Sequence, residues 1–268
     1  MTQRQEPSAL GRIVELVRDL RNRCAWDAAQ TAETLRPYLV EEVLELDHAL
    51  GTGNQDQIRV ELGDLLLHLA FQIVLGEESG AFGAEDLTQQ VERKMWRRHP
   101  HLYGDRTDTT NGPQAHPGWE RTKLEEHQGE HSVLDGLPPT LPALIMAHRL
   151  QEKAAGVGFD WEDAEGPRAK VAEELAELDQ ELHAPSGDAE GRRARVEAEI
   201  GDLLFAVVNL ARKVDCDARA ALERANDRFS TRFRAVEHLA RDRGIELGRA
   251  PLEALDALWN EVKQTEKA

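Results

Sequence analysis

The chain has 268 residues and a formal net charge of −17, a surface charge that repels a phosphate backbone and argues against DNA or RNA as the ligand. Its two cysteines show no CxxC spacing, so neither a zinc site nor a disulfide framework is predicted. The first ten residues are polar and no apolar run approaches the roughly 20 residues of a membrane span, so we expect a cytoplasmic protein without membrane contact.

The first acidic helix is predicted over residues 39–50. Placed 100° apart, its leucines and valines cover one face, and Glu41, Glu42 and Glu45 fall together on another. Glutamates on a helix usually form a solvated face, so this helix alone does not indicate a site.

The second helix, over residues 61–75, is apolar almost all round and is therefore expected to be buried. Glu61 and Asp64 lie one turn apart in its narrow polar stripe, which also contains His68 and Gln72. An unpaired charge in such surroundings is very unfavourable, and too few basic residues lie nearby in sequence, so a divalent metal is expected to neutralise them. Gly63 within this helix predicts a close backbone approach, unless it marks the helix start.

The rest of the chain repeats these elements in the same order. The pattern EExxE of residues 41–45 recurs at 173–177, and ExxD of residues 61–64 recurs at 199–202. Two further pairs recur downstream: Lys94 and Arg98 as Arg228 and Arg232, and Trp119 and Lys123 as Trp259 and Lys263. A repeat this long indicates a duplicated domain.

No alternating β-branched run interrupts the helical periodicity, so the predicted fold class is all-α. We expect tandem duplicated helical bundle units with carboxylate-lined clefts. Residues 128–142 are rich in turn formers and predict a linker, which places the domains at residues 8–128 and 132–268.

Each copy is expected to gather four or five carboxylates from two neighbouring helices. Ligand sets made only of oxygen favour Mg²⁺, or Mn²⁺ as a substitute, over zinc. A bound metal also inverts the local charge, so that an acidic protein can hold a polyphosphate.

These motifs resemble the signature of the MazG-type all-α nucleoside triphosphate pyrophosphohydrolases, and the duplication is similar to the two-domain members over nearly the whole chain. Residues 24–31 (CAWDAAQT) and 97–105 (RRHPHLYGD) are similar to stretches of that family's first domain. Ala25 departs from the usual proline, and Arg228 stands where lysine is common.

The resemblance implies hydrolysis of NTPs and dNTPs, over a broad base range, to nucleoside monophosphate and pyrophosphate. The implied metal ligands are Glu42, Glu45, Glu61 and Asp64 in the first copy and Glu174, Glu177, Glu199 and Asp202 in the second. The implied substrate-binding residues are Lys170, Arg228, Arg232, Trp259 and Lys263, with Lys94, Arg98, Trp119 and Lys123 as first-copy counterparts.

As a mechanism, we expect a Mg²⁺-activated water to attack the α-phosphorus, with Glu41 or Glu173 orienting it. Trp259 would stack on any base, or else serve as a packing residue. Tyr38 stands where Lys170 stands in the second copy, so we expect the second copy to be the more active one. The resemblance also implies a homodimer.

Two alternatives remain open from the sequence. In the first alternative, the chain is a superfamily member specific for dUTP, dCTP or phosphoribosyl-ATP. In the second, it is a non-enzymatic helical interaction module. Hydrolysis across the common nucleotides separates the first alternative, and metal-linked stabilisation that survives Asp202→Asn favours the second.

Overall fold

The computed structural model describes residues 8–103, 132–184 and 189–266. These ranges contain helices and turns but no strand, which confirms the all-α prediction. None of their helices combines the length and the apolar character that a bilayer crossing requires. The chain divides into two compact units, Met1–Gly112 and Pro113–Ala268, and the predicted boundary near residues 128–132 stays a prediction.

The first unit is built around a long helical hairpin. Its helices are α1 (Gly11–Arg23), α2 (Ala25–Ala28), α3 (Ala32–Thr52), α4 (Gln55–Glu78), α5 (Ala84–Arg98) and α6 (Pro100–Tyr103). Helices α3 and α4 form the hairpin, and α1 packs against α4.

Local sequence explains where the hairpin helices begin and end. Thr31 and Thr34 form a capping box at the start of α3, each accepting a hydrogen bond from the other's backbone N–H. Gly53 ends α3 with a φ of 72°, a left-handed conformation that glycine adopts without a Cβ clash. Asn54 then caps α4 through its side-chain oxygen. The turn between the two helices is therefore encoded in Gly53 and Asn54.

The core of the first unit lies on one side of this hairpin, where α1 covers it. Its buried residues are Val17, Leu35, Ala70, Phe71 and Val74. The prediction that α4 is buried all round is wrong, because Leu62 is 50% and Leu69 is 48% exposed. Helix α1 contributes one covering face, so the apolar residues on the opposite side of α4 remain accessible.

The second unit contains a similar hairpin and a further one. Its helices are α7 (Ala143–Gly156), α8 (Glu165–His183), α9 (Ala189–Lys213), α10 (Ala218–Asp242) and α11 (Leu252–Thr265). Helices α8 and α9 pair along their length, and α7 packs across α9. Helices α10 and α11 pair through a buried cluster of Val236, Ala240, Leu258 and Val262.

The two glycines beside the acidic residues, Gly63 and Gly201, lie well inside α4 and α9. A Cβ added at either position would meet no atom within 4 Å. The prediction of a close backbone approach is therefore wrong for the atoms of the described residues, and neither glycine marks a helix start.

Candidate functional site

Helices α3 and α4 bring three glutamates of the first unit together. Glu42 and Glu45 lie one turn apart on α3, and Glu61 faces them from α4. One carboxylate oxygen of each lies within 4.8 Å of the others. Three of the residues predicted from the acidic pattern thus form one cluster, called the first acidic cluster below.

The first acidic cluster carries crowded negative charge. Burial is the largest cause that raises the pKa of Glu42, followed by the charge of Asp64. The carboxylates of Glu45, Glu61 and Glu41 raise this pKa further. Asp64 is exposed and lies outside the tight set, so it acts on the cluster through its charge.

His68 lies beside the first acidic cluster. Its Nε2 is 3.8 Å from Oε1 of Glu42, and its side chain is largely buried. Its Nδ1 is buried without a hydrogen-bond partner. The ring nitrogen that faces the Glu42 carboxylate is therefore Nε2. The predicted polar stripe of α4 contained His68, but its role was not inferred from the sequence.

A groove of about 630 Å³ opens next to the first acidic cluster. Its lining residues are Pro37, Val40, Glu41, Leu44, Glu45, His48, Ala49, Gln57 and Glu61. Its lining combines apolar side chains with the carboxylates of Glu41, Glu45 and Glu61, which agrees with the carboxylate-lined cleft expected for this copy.

The second unit gathers the matching three residues. Glu174 and Glu177 of α8 and Glu199 of α9 place carboxylate oxygens within 4.8 Å of one another, forming the second acidic cluster. Burial, then the charges of Glu177 and Glu174, raises the pKa of Glu199. Asp202 raises it further, although Asp202 is exposed and lies outside the tight set.

Lys170 distinguishes the second acidic cluster from the first. Its Nζ lies 2.6 Å from Oε1 of Glu174 and 2.9 Å from Oε1 of Glu173. These two hydrogen bonds raise the pKa of Lys170. This pairing forms because residues four apart on a helix face each other, and the predicted scarcity of basic residues concerned Glu61 and Asp64 of the first unit.

Among the described residues, the first acidic cluster has no such cation. In the described ranges, no lysine or arginine forms an ion pair with Glu42, Glu45 or Glu61. Tyr38, at the position that matches Lys170, is about half exposed. The cluster offers three carboxylate oxygens as donors, and burial together with the neighbouring negative charges raises the pKa of Glu42. Such a set of donors matches the requirements of a hard divalent cation.

The predicted phosphate-binding residues of the second unit lie on α10 and α11. Arg228 and Lys263 are exposed, whereas Arg232 forms an ion pair with Glu266 at 2.7 Å. Trp259 is partly buried against the α10–α11 core. Within the residues that the structure describes, none of the four contacts the second acidic cluster by a hydrogen bond or ion pair, so their grouping with it stays a prediction.

Trp259 packs through its ring. Its centroid lies 5.4 Å from that of Phe229, which stacks in turn on Phe233 at 5.8 Å. The packing role considered for this tryptophan is therefore present, and base stacking remains a prediction.

The first-copy counterparts are less fully described. Lys94 is exposed on α5, and Arg98 is partly buried at its C-terminal end. Trp119 and Lys123 lie outside the described residues.

Sequence reasoning missed the contacts that hold the segment before α8. Arg212 Nη1 and Lys213 Nζ donate to Asp160 at 3.1 and 3.3 Å, and Lys213 also donates to the carbonyl of Trp161 at 2.6 Å. Burial acts to raise the pKa of Asp160, but the hydrogen bonds and charge of Arg212 and Lys213 outweigh burial and lower it. The partners lie about fifty residues away in sequence, so no local pattern signals them.

The matching segment of the first unit is also held by a cation from outside the segment. Arg21 of α1 donates to the carbonyls of Asp27 and Gln30 at 2.7 and 3.0 Å. The same guanidinium forms two hydrogen bonds of 2.7 Å with Glu78 near the end of α4. In this unit the cation lies on α1 and binds backbone carbonyls, whereas the cations of the second unit lie on α9 and bind the Asp160 carboxylate as well.

Comparison with known proteins agrees with these features. Residues 30–103 match the family model described as the MazG nucleotide pyrophosphohydrolase domain. The chain is 39% identical over 256 residues to the nucleoside triphosphate pyrophosphohydrolase of Escherichia coli (strain K12), covering 95% of each chain. It is 40% identical over 254 residues to the nucleoside triphosphate pyrophosphohydrolase/pyrophosphatase MazG of Thermotoga maritima, covering 94% of each.

A third relative is longer than this chain. The uncharacterized protein YabN of Bacillus subtilis (strain 168) is 41% identical over 256 residues, which cover 94% of this chain and 51% of that protein.

Proposed function

Because the chain belongs to the MazG family of nucleoside triphosphate pyrophosphohydrolases, we propose that its acidic clusters hold Mg²⁺ and that it hydrolyses NTPs and dNTPs over a broad base range. The products would be nucleoside monophosphate and pyrophosphate. The observation that carries the proposal is the same three-glutamate cluster on a helical hairpin in each unit, which also supports a tandem duplication.

The two clusters have the donors that Mg²⁺ requires, with Mn²⁺ as a substitute. The residues that would hold the cation are Glu42, Glu45, Glu61 and Asp64 in the first unit and Glu174, Glu177, Glu199 and Asp202 in the second. A divalent cation bound there supplies charge against the phosphates and lowers the pKa of nearby water.

The chain's own residues would bind the triphosphate and orient the water. Glu173, or Glu41 in the first unit, would accept a hydrogen bond from the water whose oxygen attacks the α-phosphorus. The bond from the α-phosphorus to the bridging oxygen then breaks, and pyrophosphate leaves. Lys170 and the exposed Arg228 would balance the negative charge that develops on the phosphates.

The remaining substrate contacts follow the same logic. Arg232 and Lys263 would add positive charge around the leaving pyrophosphate. Trp259 would stack on the base, and because every base offers an aromatic face, this contact does not select among bases. The first-unit counterparts would be Lys94, Arg98, Trp119 and Lys123. We propose the second unit as the principal active site, because Tyr38 leaves the first unit without the cation that Lys170 supplies.

We also propose a homodimer through the acidic hairpins. Both hairpins carry apolar side chains that are about half exposed: Val40, Val43, Leu44, Val60, Leu62 and Leu69 in the first, and Leu175, Leu182, Ile200, Leu204 and Val207 in the second. Two paired helices leave such faces open until further helices cover them, and a second copy supplies matching ones. Sedimentation equilibrium should give twice the chain mass, and a monomer at micromolar concentration would contradict this arrangement.

Product analysis tests the reaction. Purified protein is incubated with each common NTP and dNTP, with Mg²⁺ and then with excess EDTA, and monophosphate and pyrophosphate are quantified. We expect both products from all bases and none with EDTA. Turnover of one nucleotide alone would favour the single-substrate alternative, and no turnover would favour the interaction module.

A matched pair of double variants locates the chemistry. Glu174→Gln with Glu177→Gln should abolish turnover, whereas Glu42→Gln with Glu45→Gln should leave most of it. The reverse result would place the chemistry in the first unit. Glutamine keeps the side-chain size and removes the charge, so helix content measured by circular dichroism should be unchanged in both.

A further inference from the structure

The ion pair between Lys170 and Glu174 occupies the place where the proposed function puts a cation. Glu174 is buried, with only 4% of its surface exposed. A buried carboxylate without a partner is strongly unfavourable, and the Lys170 ammonium at 2.6 Å removes that penalty. The second acidic cluster is thus partly neutralised by the chain itself before any metal binds.

A divalent cation and this ammonium compete for the same carboxylate. At contact distances two positive charges repel each other strongly, and most strongly where burial limits screening. Metal binding through Glu174 therefore requires the Lys170 ammonium to move. Its side chain is 39% exposed on a flexible stem, so the ammonium has room to do so.

We propose that Lys170 couples metal binding to nucleotide binding in the second unit. Without nucleotide, its ammonium stays on Glu174 and Glu173 and weakens metal binding. A bound triphosphate offers the ammonium other anionic oxygens, so Lys170 moves to the phosphates and Glu174 becomes available to the metal. Glu174 remains neutralised throughout the exchange. This inference rests on the proposed function, because it takes the second acidic cluster as the metal site.

In the part of the first unit that the structure describes, no ammonium group pairs with the acidic cluster. Tyr38 at the matching position carries no ammonium, and His68 lies 3.8 Å from Glu42 without a direct hydrogen bond. The first acidic cluster is therefore open to metal whether or not nucleotide is present. The two units differ in the order in which their ligands bind.

Mn²⁺ titration followed by electron paramagnetic resonance tests the coupling. The full chain carries Glu42→Gln, Glu45→Gln and Glu61→Gln, so that only the second acidic cluster binds. Affinity is measured alone and with an NTP analogue whose α–β bridging oxygen is replaced by methylene. We expect the analogue to tighten Mn²⁺ binding about tenfold or more.

Lys170→Met in this background should tighten nucleotide-free Mn²⁺ binding about tenfold and remove most of the analogue's effect. The matched control is Arg168→Met, which removes one positive charge from the same helix. Arg168 pairs with Glu165 at 2.9 Å in an exposed position, so its loss should leave both affinities unchanged. Nucleotide-free Mn²⁺ binding that Lys170→Met leaves unchanged or weakens overturns the coupling.

A converse variant keeps the test independent of that background. Tyr38→Lys, in a chain with Glu174→Gln, Glu177→Gln and Glu199→Gln, should weaken nucleotide-free Mn²⁺ binding to the first unit and make it depend on the analogue. Unchanged affinity contradicts the proposal. Mn²⁺ binding to neither unit in any variant would instead refute the proposed metal sites, so the two failures are distinguishable.

Discussion

The hairpins α3–α4 and α8–α9 place three glutamates in the same arrangement but surround them with different neighbours. In the second hairpin Lys170 binds Glu174 directly, whereas in the first Tyr38 takes the matching place and His68 approaches Glu42 without a hydrogen bond. Position 206, which matches His68, is an alanine. The carboxylates define the proposed cation site, and the adjacent residues determine the net negative charge at that site.

The segments that precede the acidic helices differ in the same manner. Arg21 binds the backbone of the first segment, while Asp160 of the second accepts hydrogen bonds from Arg212 and Lys213. Both segments are held by cations of other helices, through backbone carbonyls in the first and through a carboxylate and backbone carbonyls in the second. Related architecture therefore does not require the same contacts, because any strong pair that fixes the segment serves the fold.

The largest expected contrast between the units is catalytic. Glu199→Gln should lower kcat/KM about a hundredfold or more, because it removes one of three clustered carboxylates from the proposed principal site. Glu61→Gln, its matched partner in the first unit, should change kcat/KM by less than about threefold, within the effect of a minor site. Steady-state pyrophosphate release measures kcat/KM of both variants, and equal losses would show that both units catalyse the reaction.

A second contrast concerns stability. Asp160→Asn should lower the free energy of unfolding by about 2–3 kcal/mol, because it leaves the largely buried Arg212 and Lys213 without their carboxylate. Urea denaturation followed by circular dichroism measures the loss. The control is Glu162→Gln, which changes only a side chain and keeps the backbone carbonyl of residue 162 that Lys213 binds. This control should change stability little. A loss shared by both variants would argue against the ion pairs as the cause.

The pH dependence of the free energy of unfolding tests the same interaction. The pKa of Asp160 is lower in the folded protein than its ordinary value, so the stabilisation is present above the unfolded pKa of about 3.9. It is lost as the pH falls through the folded pKa. The stability difference between the wild type and Asp160→Asn should therefore shrink below about pH 4, and a constant difference would contradict this assignment.

The smallest expected effect tests the helix glycines. Gly63→Ala and Gly201→Ala should each raise the free energy of unfolding by about 0.5–1 kcal/mol, because alanine favours the helix and the added methyl meets no described atom. Thermal unfolding measures the change. Similar gains in stability from both substitutions would show that the two hairpins are also alike at these glycines. A loss in either would mean that another molecule approaches the backbone there.

Much of the candidate site was readable from the chain. The spacing of Glu42 and Glu45 and the position of Glu61 predicted a cluster that the structure assembles, because residues three apart share a helix face. The same spacing rule contained the Lys170–Glu174 pair, which lies four apart on one helix. The predicted scarcity of basic residues concerned Glu61 and Asp64 on the apolar helix, so it did not address this pair.

The structure corrected the sequence where contacts are distant. Leu62 and Leu69 read as core residues, yet they are about half exposed because α1 covers a single side of α4. Asp160 and Arg212 lie far apart in the chain, and no local pattern joins them. The roles of Arg228 and Trp259 toward the acidic residues likewise stay predictions.

By itself, the sequence determined the all-α class, the repeated acidic helices and the turn at Gly53, because helix periodicity, capping and a left-handed φ depend on residues a few positions apart. Tertiary structure alone decided which apolar faces stay open, that His68 lies beside Glu42, and which charges hold the segment around Asp160. These features arise when helices distant in sequence pack together, and burial and pairing then follow from the neighbours that packing supplies.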